Sequence, residues 1–165
     1  MGIFSKIKNY ITGGAAEVAV VFENDLVRPE DKLRLFVTAS AKDDCKIKKV
    51  YLHIKCEETY KKRETTTTTD SNGNTTTTSR DVTKYYSHFT KELVLAEDIL
   101  LRKDSEEKWL AEFEIPVDAL PSFKGKDCHM TWKVFAGLDM PGNDPDSGWV
   151  SFYVQRKVDY TVEQM

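Results

Sequence analysis

Side chains able to do covalent or metal chemistry gather in a few places along this chain. Cys128 stands beside His129, and His53 precedes Cys56 by three positions. A thiol next to an imidazole is the most enzyme-like of these pairs, because a nearby base generates the thiolate that acts as nucleophile. Its setting removes it. Cys128, Met130, Trp132, Val134, Ala136 and Leu138 fall on one parity, while His129, Thr131, Lys133, Gly137 and Asp139 fall on the other. That is the period-2 pattern of a half-buried strand, on which neighbouring side chains leave opposite faces. The thiol is therefore expected inside as an inert core residue, with the imidazole at the surface. His53 and Cys56 fail in the same way, since their separation is odd and zinc sites favour closer clusters such as C-x-x-C. No GxSxG, P-loop or HExxH occurs. The expectation is no catalysis and no cofactor.

Hard oxygen donors offer a second chemistry. Asp139, Asn143, Asp144 and Asp146 lie in one turn, and of these Asp139, Asp144 and Asp146 are weak metal candidates. A tight turn wants the same residue types beside Pro141, Gly142 and Pro145, so the turn explanation is preferred. Asp70, Asn72 and Asn74 begin like a calcium loop, but the glycine that should stand sixth is Gly73, in fourth place. Asn74-Thr75-Thr76 is a glycosylation sequon only in a secreted chain.

A basic stretch, Lys46, Lys48, Lys49, Lys55, Lys61, Lys62 and Arg63, raises nucleic acid or anionic lipid as a partner. Glu57, Glu58 and Glu64 interrupt it, and the net charge of −3 gives no global attraction, so nucleic acid is not expected. An odd count of three cysteines, with no apolar leader, favours a cytoplasmic setting and free thiols. No run approaches the about 20 apolar residues of a membrane-spanning helix.

The elements that position these residues are short and turn-bounded. Ile3, Phe4, Ile7 and Ile11 recur at helical spacing, which predicts an amphipathic helix over 1–12 that caps the sandwich or anchors on a membrane or partner. Strands follow at 17–23, at Leu33 to Ala39, and at Lys46 to Cys56. Threonine runs on either side of Asn72-Gly73 predict a hairpin inserted at 61–84 and projecting into solvent. Tyr85, Ser87, Phe89, Leu93 and Leu95 make the next strand, 96–108 reads as a charged connection, and Trp109 to Ile115 is another strand. The long strand from Cys128 comes next, then a last one carrying Val150, Phe152 and Val154, and 159–165 is a polar tail. At least seven short strands and no long helix indicate an all-β, antiparallel two-sheet β-sandwich spanning 15–158, with a closed barrel as the alternative.

The run PVDALPSFKGKDCHMTWKVFAGLDMPG from Pro116 resembles the arrestin-like superfamily. Leu120, Pro121, Ser122, Gly125, Trp132, Val134, Ala136, Leu138 and Asp139 carry the likeness. The opening segment, the Gly13 to Ala16 stretch and the first strand are similar to the bacterial sporulation-control branch of that superfamily. The resemblance implies a single N-terminal-type arrestin sandwich acting as a non-catalytic adaptor or scaffold for a protein partner. It departs from the family at the first turn, where 27–31 lack the usual glycine, and it covers one of the two sandwiches that members carry in tandem.

Large apolar groups on an outward parity mark contact surfaces. Tyr51, Phe36, Trp149 and Tyr153 are placed outward by their strands, so Tyr51, Trp149 and Tyr153 join Ile3, Phe4, Ile7 and Ile11 as expected contact residues. A protein partner met through sheet edges and loops is expected, with pairing of two copies by their sheet edges included. Membrane-surface or carbohydrate binding is the alternative.

Overall fold

A computed structural model of the chain describes residues 14–156, and they form nine strands in two sheets with no helix among them. The first sheet has the order β1 (Ala16–Phe22), β3 (Lys32–Ala41), β6 (Glu106–Glu114). The second runs β2 (Leu26–Val27), β9 (Asp146–Val154), β8 (Cys128–Asp139), β4 (Cys45–Thr69), β5 (Thr75–Leu101), with β7 (Phe123–Lys124) also paired to β8. All pairings are antiparallel except that of β2 with β9. The all-β sandwich expected from the sequence is the architecture found. The amphipathic segment 1–12 and the tail 159–165 lie outside the described residues.

Alternation makes this core. On β8, Met130, Trp132, Val134, Ala136 and Leu138 all turn inward, as do Leu33, Leu35, Val37 and Ala39 on β3. Burying one face of each sheet against the other removes these side chains from water at about 25 cal/mol per Å² of apolar area. Trp132 is the centre, with Phe89 at 5.4 Å and Phe152 at 5.9 Å between ring centroids. Phe113 and Phe22 extend the cluster from the other sheet, against Phe89 and Phe152 respectively.

One expectation needs correction. Residues 96–101 are strand, not connection: Cys45 pairs with Leu101 and Ile47 with Ile99, because Ile99 and Leu101 alternate toward the core. Asp98 takes a positive φ of 51° at the skipped position, a conformation that aspartate tolerates better than most residues. The threonine hairpin over 61–84 continues strands β4 and β5 outward. β4 and β5 pair from Cys45↔Leu101 to Thr69↔Thr75, with bulges that leave Leu95 and His88 of β5 without a partner on β4. β8 accompanies β4 only as far as Tyr60↔Cys128, so the remainder is a two-stranded arm.

The tip of that arm is organised by Asp70. Its Oδ1 accepts the backbone N–H groups of Asn72 at 2.9 Å and Asn74 at 2.8 Å, and Oδ2 accepts from Asn74 Nδ2 at 3.1 Å. Those hydrogen bonds, that from the Asn74 backbone first, hold the Asp70 carboxyl below its ordinary value. The calcium-like Asp-x-Asn-Gly-Asn series is thus a turn, with Gly73 supplying the positive φ of 82°.

Candidate binding surface

The three thiols are all held in their neutral form. Cys45 and Cys56 are buried and Cys128 is half-buried. Burial pushes Cys56 up to about 11, and burial followed by neighbouring carboxylates raises Cys45 and Cys128. A raised thiol is the opposite of an activated nucleophile. Cys128 is not the core residue expected: its Sγ stands 3.4 Å from Glu58 Oε1, on a part of the large sheet's inner face where packing is incomplete. His53 lies on the outer face, its Nε2 3.5 Å from Glu92 Oε2, while Cys56 faces the core.

The acidic turn is used by its own backbone. Asp144 Oδ1 accepts from Met140 N–H at 3.1 Å, and Asp146 Oδ1 accepts from Gly148 N–H at 2.8 Å. Among the described residues no group of three His, Cys, Asp or Glu is placed to hold a metal ion, and Asp139, Asp144 and Asp146 form no such group.

Three of the expected contact residues lie on the outer face of the large sheet, but only two are brought together. Tyr51 on β4 and Trp149 on β9 are bridged by Phe135 on β8, at 6.5 Å and 5.3 Å between ring centroids. Phe135 escapes a reading of β8 as apolar within and polar without, although its parity with Lys133 was the available signal. Room for Tyr51 comes from the residue opposite, Gly137, where a Cβ would stand 2.4 Å from the Tyr51 hydroxyl. Burial, with Asp144 and Asp146 nearby, pushes the Tyr51 phenol up. Tyr153 stands apart, opposite Leu26 of β2. Phe36 is covered by Lys108, whose Nζ is 3.9 Å from its ring centroid. Ile3, Phe4, Ile7 and Ile11 lie outside the described residues.

Lysines cap this row. Lys133 Nζ lies 5.0 Å and Lys55 Nζ 5.9 Å from the Trp149 ring centroid, and both pair with Glu57. The Glu57 side chain is 12% exposed. Burial alone would raise its carboxyl, but hydrogen bonds from Lys133 and Lys55 outweigh burial and hold it below the ordinary value. A depressed folded value stabilises the protein above the unfolded carboxyl range of about 4.3 and is lost as pH falls through the folded value. Glu57→Gln should cost about 1–2 kcal/mol at neutral pH and flatten the acid limb of stability against pH, read by urea unfolding. An unchanged acid limb would show that the lysines contribute nothing.

The free edge is the feature that sequence reasoning missed. β5 is 27 residues long and is the outermost strand of its sheet, with β4 on one side and no strand paired on the other among the described residues. A strand's rank within a sheet depends on non-local pairing, so no local signal could have found it. Beside this edge a cavity of about 270 Å³ opens between the sheets, with Cys56 and Trp132 at its floor and Phe89 and Leu120 in its wall.

The turn that closes this cavity explains the motif residues. Leu120 O accepts from Trp132 Nε1 at 2.7 Å, and Ser122 Oγ accepts from Val154 N–H at 3.0 Å while Ser122 N–H donates to Val154 O at 2.9 Å. Leu-Pro-Ser thus joins the centre of β8 to the end of β9. The sequence matches the family described as "Arrestin (or S-antigen), N-terminal domain" over residues 21–161. The chain belongs to the arrestin N-terminal domain family. Among solved structures, this arrestin domain is similar in fold to Spo0M, the sporulation control protein from Bacillus subtilis, with a TM-score of 0.60 and 18% identity. That match covers 88% of this chain and 51% of the other, so the arrestin domain spans about half of that protein's length. A search of curated proteins found no match. Among the described residues no helix is long and apolar enough to cross a membrane.

Proposed function

We propose that this arrestin-type sandwich is a non-catalytic adaptor domain that holds a protein partner through sheet edges and loops, with the outer edge of β5 as its principal contact. One observation carries the reading. Natural sheets blunt their edges by shortness, proline, charge, bulges or cover, because unpaired N–H and C=O groups recruit other strands. β5 is long, contains no proline and has no strand outside it among the described residues; bulges at His88 and Leu95 divide it, and the stretches between and beyond them are regular enough to pair. Such an edge suits strand addition, in which main-chain hydrogen bonds supply affinity. A second copy of the chain is among the partners this geometry admits, and three unbridged cysteines favour a reducing, cytoplasmic setting.

A second reading, contact with a membrane surface or carbohydrate, draws on the outer row of Tyr51, Phe135 and Trp149. Amide hydrogen exchange separates the two. With a partner captured from lysate and then purified, exchange should slow along residues 75–101. Slowing confined to the outer row, or sedimentation with anionic vesicles that is lost on removing residues 1–12, would favour the second reading and overturn the first.

A further inference from the structure

The cavity and the free edge meet at His88 and Phe89, which belong to β5 and also line the cavity; His88 is the extra residue of a β-bulge, which bends the edge at the cavity. A strand added to β5 would lie about 4.8 Å beyond it. Its inward-facing side chains would reach across the cavity mouth toward the turn at 116–120. The cavity's volume of about 270 Å³ falls just below the ~300–1,000 Å³ of sites for whole small molecules. Its apolar floor and wall suit a single side chain.

Charge at the mouth narrows the occupant. His88 Nε2 is held by Glu58 Oε2 at 2.7 Å. Lys91 is turned to the Phe113 ring, 5.5 Å from its centroid. Asp118 lines the same cavity, is exposed, and joins no ion pair among the described residues. It is the open charge of the site. We infer that the β5 edge and this cavity form one peptide site, selecting an extended protein segment that presents a medium-sized apolar side chain beside a lysine or arginine. The inference rests on the edge reading above: the backbone pairs with β5, the apolar group fills the cavity, and the cation meets Asp118.

A random short-peptide phage library selected on the full chain tests it. Enriched sequences should share an apolar residue next to Lys or Arg, and alanine at the apolar position should weaken a synthetic consensus peptide more than alanine at any other uncharged position. Asp118→Lys, a change at an exposed residue, should weaken that peptide about tenfold, the size of one lost charge-assisted contact, and should turn a fresh selection toward Asp or Glu. A peptide that slows amide exchange along β5 yet ignores Asp118→Lys would overturn the inference and leave the edge reading standing. Enriched peptides that leave β5 exchange unchanged would overturn both, and a library with no enriched sequence would overturn the inference.

Discussion

Replacing Trp132 with alanine should destabilise the protein by about 3–5 kcal/mol, the range for large aromatic deletions in packed cores. Trp132 is 1% exposed and sits between rings from neighbouring strands, Phe89 and Phe152. Truncation would leave a void that those rings cannot close, because each is fixed by its own strand and by a second aromatic partner. It would also strip Leu120 O of the donor it now has at 2.7 Å. For a chain of 165 residues, this corresponds to a fall in Tm of about 6–20 °C. Urea unfolding with an unchanged m-value is the measurement, and a loss under about 1.5 kcal/mol would mean that Trp132 is not the centre of the core. Trp132→Phe should recover most of the packing but not the hydrogen bond, and so fall in between.

Ser122→Ala should cost about 1–3 kcal/mol, far more than the loss of a small surface hydroxyl. Ser122 is buried, and its Oγ accepts the Val154 N–H, which would be left without that acceptor inside the protein. The penalty is for stranding a buried donor, not for the net worth of the bond. Because the remaining bond from Ser122 N–H to Val154 O still holds the pair together, the effect should be local. Amide exchange at Val154 should accelerate while that of β4 stays slow. Equal acceleration across both strands would show that Ser122 stabilises the fold globally. Serine in the Leu-Pro-Ser turn thus has a physical role that its membership of a motif does not reveal.

The fold was legible to the extent that strands announce themselves by alternation. β3 and β8 lie where their apolar parity places them, and the arrestin likeness of 116–142 holds. One failure has a clear cause. Residues 96–101 look like a polar connection because Glu97, Asp98, Arg102 and Lys103 outweigh Ile99 and Leu101 in composition, yet those two apolar residues decide the pairing with β4. The threonine stretches pair across Asn72-Gly73, with cross-strand contacts such as Thr67 with Thr77 at 3.3 Å continuing the ladder of β4 and β5. Of the contact surface, Tyr51 and Trp149 were legible as outward aromatics, whereas Phe135 between them was not.

The sequence alone determined which side of β3, β4, β6, β8 and β9 faces the core. Side-chain direction in a strand is a local property with a period of two, so it can be read without knowing any neighbour. Only the tertiary structure decided that β5 has an unpaired edge, that Gly137 makes room for Tyr51, and that Asp118 stands at a cavity floored by Cys56 and Trp132. Those facts depend on which strands lie side by side and in what register, and residues far apart in the chain fix both through their packing.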